Sequence, residues 1–473
     1  MLQRAGQVVS LLLLFAGPCS GQEIATRLDQ AVKKLSADAQ FNHAMIGFYV
    51  VDSKTGNLVF DKNSQLGMAP ASCQKIITSA AAFELLGKSF RFKTYIDRDA
   101  STKQGSLYIT GNGDPTLGSD RWPLTKEPFV LQKILNTLQQ HTIASINGDL
   151  VCNDSNFPPD PLPGGWVWED IGNYYGAGDW GFNWRENQFD LTFKTGRAKG
   201  DTTSLLSTDP ASILTGYTFA NFVTTDVAGS GDNAYLFSAP FGRHIVARGT
   251  VPVSSTGFTI SGSMPNPPAT FLQSVRNYLN KNSVAVTGSN SSYSEMIMNK
   301  QPFKLPPLQH LDSILSPPLD SINYWFLKKS VNLFGEALVK AIAYAKGKPA
   351  STDSGIAIIR NYWSTRGIEA PALKIIDGSG LSPANRLTCH ALVTVLQYAR
   401  KQDWFNSFYT ALPETNGIKM KDGYITGVRS YAGYVKTKKG NEYSFAFIVN
   451  NFDGSPGRAR EKIWQLLDIL KDY

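Results

Sequence analysis

The sequence has few cysteines and histidines and, after its first residues, no long apolar run. Four cysteines and five histidines occur in 473 residues, with no HExxH or CxxC pattern, so neither a metal site nor a disulfide framework is predicted. No later segment offers the roughly 20 apolar residues of a membrane-spanning helix. No block of Lys and Arg indicates a nucleic-acid partner. The net charge of +8 suits an anionic cell-wall environment, but it also suits many unrelated proteins.

The first residues are typical of a secretory signal peptide. Arg4 precedes an apolar run over residues 8–17, and small residues lead into a polar stretch that begins at Gln22. A retained membrane anchor is the alternative, although the run is shorter than a bilayer requires. Lipidation of Cys19 is disfavoured because Pro18 precedes it. We therefore predict that 1–21 is a signal peptide and that the mature chain, with three cysteines, contains no membrane span.

Periodicity along the chain predicts one α/β domain that is built from both ends. An amphipathic helix and a hairpin occupy the start, and two strands and a final helix occupy the end. Between them, short strand-like runs alternate with turn residues, which is typical of a mainly-β region. The predicted catalytic domain therefore comprises 22–89 and 297–473, and the inserted mainly-β subdomains comprise 90–296.

The tetrad Ser72-Cys73-Gln74-Lys75 opens a helix whose interior is apolar on nearly every side, as in a buried helix. Spacing of i and i+3 places the serine and the lysine on one helix face. A serine hydroxyl needs an adjacent base, and a lysine serves only if its pKa falls from about 10.4 toward neutrality. Burial and a second cation can lower it. The alternative is a capping serine with a surface lysine, because S-x-x-K is frequent by chance.

Two further motifs favour the catalytic interpretation. Ser330-Val331-Asn332 lies between helical segments and can direct a hydroxyl and an amide into one cleft, although both residues also suit helix caps. Lys421-Asp422-Gly423 places a cation beside a residue without a side chain, where a peptide can approach the backbone. A surface turn is the alternative there. The similar run at 436–438 leads into a hairpin turn, so we predict that Lys436 faces solvent.

In this order, S-x-x-K, S-x-N and K-x-G resemble the motifs of penicillin-recognising serine enzymes. The long separation between the first two motifs is similar to that of the class C low-molecular-mass penicillin-binding proteins, the D-alanyl-D-alanine carboxypeptidase/endopeptidase family. Segments 111–117, 153–157, 316–319 and 377–382 are also similar to that family. The resemblance implies the penicillin-binding/β-lactamase-like transpeptidase fold, an antiparallel sheet flanked by helices.

The resemblance also implies roles for individual residues. Ser72 attacks the carbonyl between two D-alanines, and Lys75 takes its proton. Ser330, with Lys421, relays that proton to the leaving amine, and Lys421 also meets the terminal carboxylate. Asn332 binds the substrate peptide and orients Lys75. The backbone N–H groups of Ser72 and Tyr424 form the oxyanion hole.

The implied setting is the bacterial periplasm, with peptidoglycan peptides as partners, β-lactams as covalent inhibitors of Ser72, and neither cofactor nor metal. Gly423, Tyr424 and Asp422 are the predicted substrate-binding residues. Asp422 stands where the family usually has Thr or Ser, and Tyr424 where it has a hydroxyl residue. The Asp422 carboxylate can neutralise Lys421, or it can point to the other strand face. Asp154 and Phe157 are predicted to help form a pocket for the stem-peptide side chain. A β-lactamase or esterase, and an inactive wall-binding protein, remain alternatives.

Overall fold

The two ends of the chain meet in one antiparallel sheet. The computed structural model describes residues 20–102 and 105–473. The first long strand, near the N-terminus, pairs with the last strand of the chain over its whole length, so the sheet joins segments from both ends. In spatial order, its six strands are Glu414–Thr415, Ile418–Ile425, Val428–Lys436, Glu442–Asn450, Met45–Asp52 and Leu58–Lys62.

Helices cover both faces of this sheet. The terminal helices Ser20–Ser36 and Pro456–Asp472 pack on one face. The other face carries the larger apolar core, and its helices are Lys75–Leu86, Leu319–Lys328, Asn332–Ala345, Thr352–Ser364, Cys389–Ala399 and Phe405–Ala411. Lys75–Leu86 is buried from Lys75 to Phe83, as its apolar sequence predicts, and Gly87 ends it at a φ of 84°. The predicted α/β fold is confirmed.

The insert contains an α/β unit. Helices Glu127–Gln140 and Pro267–Lys281 share a core with its five-stranded sheet, although the sequence predicted mainly strands here. The strand order is Asn290–Ser292, Leu150–Asn153, Leu107–Thr110, Lys93–Asp99 and Leu308–Leu315. The helices were missed because short strand-like runs and turns rich in Gly, Asn, Ser, Asp and Pro dominate the surrounding sequence.

A second unit, all β, lies within the insert. Its two three-stranded sheets share a core. One contains Asn233–Phe237, His244–Pro252 and Thr218–Asp226, and the other contains Phe258–Ser263, Gln188–Lys194 and Ser204–Asp209. The remaining elements are short: strand pairs Ser145–Ile146 with Ala285–Val286 and Leu373–Lys374 with Arg386–Leu387, helices Trp168–Ile171 and Tyr293–Met298, and 3-10 turns Ala39–Phe41, Ala71–Gln74, Tyr174–Gly176, Arg185–Asn187 and Ala370–Ala372.

The sheet of the α/β unit extends beyond the predicted boundary at 296. Strand Leu308–Leu315 pairs with Lys93–Asp99, so the insert continues to about Leu315, within the segment predicted as 297–473. Only Ile314 of that edge strand is buried. A strand with so little buried surface has no apolar alternation that the sequence could reveal.

The signal peptide predicted for 1–21 lies outside the described residues, apart from its last two positions. Within 20–102 and 105–473, no helix combines the length and apolarity needed to cross a bilayer.

Candidate active site

Ser72 lies in the tight turn that precedes the buried helix. The 3-10 turn Ala71–Gln74 continues into Lys75–Leu86, and Ala71 has a φ of 45°, which residues with a Cβ atom seldom adopt. Asn450, at the end of a strand of the sheet, holds Ala69, which lies three positions before Ser72. The Asn450 side chain accepts from the Ala69 N–H at 2.8 Å and donates to the Ala69 carbonyl at 3.0 Å. The sheet therefore fixes the position of the serine.

Lys75 is fully buried and donates to three neutral acceptors. Its Nζ lies 2.9 Å from Ser72 Oγ, 2.6 Å from Asn332 Oδ1 and 2.7 Å from the Ser379 carbonyl oxygen. Burial, followed by the charge of Lys421, lowers the pKa of Lys75 to about 7. These are the two causes that the sequence analysis required. A lysine that can be neutral near pH 7 can accept the Ser72 proton.

The second motif joins the same site. Asn332 begins helix Asn332–Ala345, but its side chain does not cap that helix; it accepts from Lys75 and donates from Nδ2 to the Tyr175 carbonyl at 2.8 Å. Ser330 has a φ of 57°, and it lines one cleft together with Ser72 and Asn332. The helix-cap alternative is therefore wrong for Asn332.

The third motif supplies a buried cation that is already paired. Lys421 Nζ donates to the Asp422 carbonyl at 2.7 Å and to Asp422 Oδ1 at 3.0 Å. The Lys421 side chain is 1% exposed and that of Asp422 is 46% exposed. Burial alone would raise the pKa of the Asp422 carboxyl, but the Lys421 ammonium holds it below its ordinary value. Of the two possibilities for Asp422, the structure shows neutralisation of the lysine.

Gly423 allows its strand to approach the nucleophile turn. A Cβ at this position would lie 2.8 Å from both the Ser72 nitrogen and the Pro70 carbonyl oxygen, so any side chain would displace the backbone. Tyr424 lines the cleft and is 47% exposed, and the Arg429 guanidinium lies 4.3 Å from the centre of its ring. The strand thus places the Gly423 backbone beside the Ser72 nitrogen, with Tyr424 next to it in the cleft lining. Lys436, in contrast, is exposed, as predicted.

A buried loop at 377–382 supports Lys75, and the sequence analysis assigned it no role. Glu336 accepts from the N–H groups of Gly378 and Ser379, both at 2.9 Å, and this holds the Ser379 carbonyl toward Lys75. Burial raises the pKa of Glu336 to about 8. Asp377 accepts from the Gln74 amide at 2.8 Å. The sequence contained one signal that could have identified Glu336. It is an acidic residue in an apolar helix, four positions after Asn332 and so on the same helix face.

The insert forms the opposite wall of the cleft. The cleft has a volume of about 1180 Å³, and its lining includes Ser72, Ser330 and, from the insert, Tyr174, Tyr235 and Arg248. A third buried lysine, Lys340, attaches the insert to the catalytic helices, because its Nζ donates to the Asp160 and Asp179 carbonyls at 3.1 and 2.5 Å. The two parts of the chain therefore share one site.

Two other predicted features lie outside the cleft. Asp154 accepts from the Ser294 N–H at 3.1 Å and is buried, while the Phe157 ring packs against Tyr344. Both side chains are buried and neither lines the cleft, and their role in a side-chain pocket stays a prediction. Cys73 is also buried, and burial raises the pKa of its thiol to about 12. Among the described residues, no cluster of His, Cys, Asp and Glu could hold a metal ion.

Comparison with known proteins indicates the same family as the three sequence motifs. Residues 28–470 match the sequence profile of the D-Ala-D-Ala carboxypeptidase 3 (S13) family. A D-alanyl-D-alanine carboxypeptidase of Actinomadura sp. (strain R39) is 25% identical over 94% of this chain and 86% of its own length. The D-alanyl-D-alanine carboxypeptidase DacB of Haemophilus influenzae is 23% identical over 86% of this chain and 85% of its own.

The fold is also similar to that of a solved relative. The crystal structure of penicillin-binding protein 4 (DacB) from Haemophilus influenzae has a TM-score of 0.77 and 21% identity, and it covers 94% of this chain and 99% of its own. Together with the profile match over nearly the whole chain, this confirms the resemblance that the three motifs indicated. The chain belongs to the D-Ala-D-Ala carboxypeptidase 3 (S13) family of serine-type hydrolases.

Proposed function

We propose that this enzyme is a D-alanyl-D-alanine carboxypeptidase and/or DD-endopeptidase, which cleaves the bond after a D-alanine of peptidoglycan peptides through an acyl-enzyme on Ser72, in the bacterial periplasm. The observation that carries the proposal is the contact between Lys75 Nζ and Ser72 Oγ at 2.9 Å, made by a buried lysine whose pKa is about 7. Geometry and proton affinity both suit a general base. The family indicates the class of reaction, and the contact between Lys75 and Ser72 indicates how the serine is deprotonated.

Acylation follows from this geometry. Neutral Lys75 takes the Ser72 proton while Oγ attacks the carbonyl carbon of the penultimate residue. The developing oxyanion lies between the N–H groups of Ser72 and Tyr424, where one donor typically contributes about 10²–10³ in rate. The C–N bond then breaks, and the leaving amine receives a proton through Ser330, which lines the cleft beside Asn332. Water hydrolyses the ester, which releases the shortened peptide and restores the Ser72 hydroxyl.

Asn332 and Glu336 act through Lys75. Asn332 Oδ1 and the Ser379 carbonyl each accept one hydrogen bond from the ammonium, so the lysine is held at the serine. Glu336 positions that carbonyl by accepting from the two loop N–H groups. Since the family includes β-lactam-sensitive enzymes by name, we also propose that penicillins acylate Ser72 by the same attack.

Intact-protein mass spectrometry after incubation with benzylpenicillin tests the proposal. Wild type should gain one penicillin and S72A should gain none, while S364A serves as a control with an equivalent substitution outside the cleft lining. A parallel assay should detect D-alanine released from a stem pentapeptide. Rapid loss of the adduct with accumulating hydrolysed penicillin would favour the β-lactamase alternative. Absence of both adduct and D-alanine from folded protein would favour the inactive wall-binding alternative.

A further inference from the structure

The pairing of Lys421 with its own neighbour bears on which substrates the cleft accepts. The Lys421 ammonium donates two hydrogen bonds to Asp422, one to its carbonyl and one to its carboxylate. The ammonium is almost completely buried, whereas the carboxylate is half-exposed. The charge that this pair presents to solvent is therefore the negative charge of the Asp422 carboxylate.

Relying on the proposed function, we infer that Asp422 is a specificity-determining residue. Its carboxylate occupies Lys421, and so it directs the enzyme toward acyl-D-alanyl substrates whose leaving group has no carboxylate beside the scissile bond. Cross-links through the side-chain amine of a lysine, whose amine-bearing carbon has no carboxylate, and amidated peptide termini belong to this class. A terminal D-alanine with a free carboxylate belongs to the disfavoured class.

Electrostatics and geometry support this assignment. A substrate carboxylate that approaches Lys421 meets a like charge already bonded at 3.0 Å, and like charges at such range repel strongly in a partly buried site. The strand backbone fixes the pair, because Lys421 and Asp422 are consecutive and Gly423 abuts the Ser72 turn.

Two of the other cations near the site already have partners. Arg121 lines the cleft, but Glu186 accepts its Nε and Nη2 at 2.7 and 3.0 Å. The Arg429 guanidinium stacks on Tyr424. Lys329 and Arg248 also line the cleft. If either bound the substrate carboxylate, wild type would prefer carboxylate substrates, and the test below would detect that preference.

The first experiment compares benzylpenicillin with its methyl ester, which differ only in the carboxylate. Acylation rates are measured by intact-protein mass for wild type, D422T, D422N and the control D472N, which removes an exposed carboxylate paired with Lys438. The acid-to-ester rate ratio should rise at least about tenfold in both Asp422 variants, the scale of one charge-assisted hydrogen bond. D472N should leave the ratio unchanged.

The outcomes separate this inference from the proposed function. Acylation by both compounds with a ratio that stays within about twofold of wild type in D422T and D422N would overturn the role of Asp422. No adduct with either compound on any folded variant would instead overturn the acyl-enzyme. If neither Asp422 variant folds, the wild-type enzyme alone tests the inference through its rates on two peptide substrates. Faster release of D-alanine from diacetyl-L-Lys-D-Ala-D-Ala than of D-alaninamide from its C-terminal amide, by more than about tenfold, would contradict the inference.

Discussion

The two sides of the cleft each contain a buried lysine, and their partners differ. Lys75 is 0% exposed and donates only to a hydroxyl, an amide oxygen and a carbonyl. Lys421 is 1% exposed and contacts a carboxylate. The two lysines are equally buried, so they are distinguished by the charge of their hydrogen-bond partners and not by burial. Neutral acceptors allow burial to lower the pKa of Lys75 to about 7, whereas Lys421 is paired with the Asp422 carboxylate at 3.0 Å.

This difference indicates a division of labour. A base must be able to lose its proton, and a charge that stabilises another group must keep it. Because the Lys421 charge also lowers the pKa of Lys75, the cation on one side helps create the base on the other. Substitutions that alter one lysine, or its partners, should therefore change the other side in a predictable direction.

Removal of the base should give the largest effect. K75M leaves Ser72 without a proton acceptor, so acylation by benzylpenicillin should slow by about 10²–10⁴-fold. Timed intact-protein mass measures the rate, and thermal unfolding verifies the fold. K438M removes a lysine that is 73% exposed and serves as the control. Acylation of K75M within tenfold of wild type would show that another group is the base.

Loss of the Glu336 contacts should have a smaller effect on the same lysine. In E336Q only one oxygen remains, so either the Gly378 or the Ser379 N–H loses its acceptor and the Ser379 carbonyl is less well fixed. Acylation should slow by about 10–100-fold, and the free energy of unfolding should fall by about 1–3 kcal/mol. E336D keeps the carboxyl group and should retain more of the rate. Equal rates for E336Q and wild type would remove Glu336 from the positioning role.

Lys340 extends the comparison to a third buried lysine, one without a serine partner. K340M leaves the Asp160 and Asp179 carbonyls without their donor, so the free energy of unfolding should fall by about 1–3 kcal/mol. The insert wall should also shift, which raises KM for peptides more than it lowers kcat. Denaturant unfolding and steady-state kinetics measure both. An unchanged stability would indicate that water replaces the lysine.

The pH profile of acylation measures the electrostatic link between the two sides. Lys75 acts when neutral, so the wild-type rate should increase as pH rises through about 7 and then level off. K421M removes a positive charge that lowers the pKa of Lys75, so its inflection should move to higher pH. D422N removes a negative charge that raises it, so its inflection should move to lower pH. Shifts in the same direction for both variants would contradict the electrostatic account.

The smallest effect is expected at Cys73, beside the nucleophile. The thiol is fully buried and donates to the Lys421 carbonyl at 3.2 Å, and burial raises its pKa to about 12. Thiol reagents should therefore leave native enzyme active over hours, as measured by penicillin acylation after treatment. Inactivation of wild type, but not of C73A, would show that the helix opens in solution.

The sequence by itself predicted the α/β fold and the family, because three short motifs lie in a fixed order and a helix apolar on all sides has to be buried. The same motifs identified Ser72 and Lys75 as the candidate nucleophile and base, and the resemblance placed Asn332 beside Lys75. These features are local in sequence, and their chemistry follows from residue type and spacing.

Only the tertiary structure decided the rest. The choice for Asp422 between pairing with Lys421 and facing away depended on how the strand packs on Ser72. The support of Lys75 comes from Glu336 and Ser379, which lie 261 and 304 positions after it in the chain. The end of the insert at Leu315 depended on an edge strand with almost no buried face. Contacts between distant segments leave no periodic pattern, because each segment satisfies its own local preferences and the contact arises only when they pack.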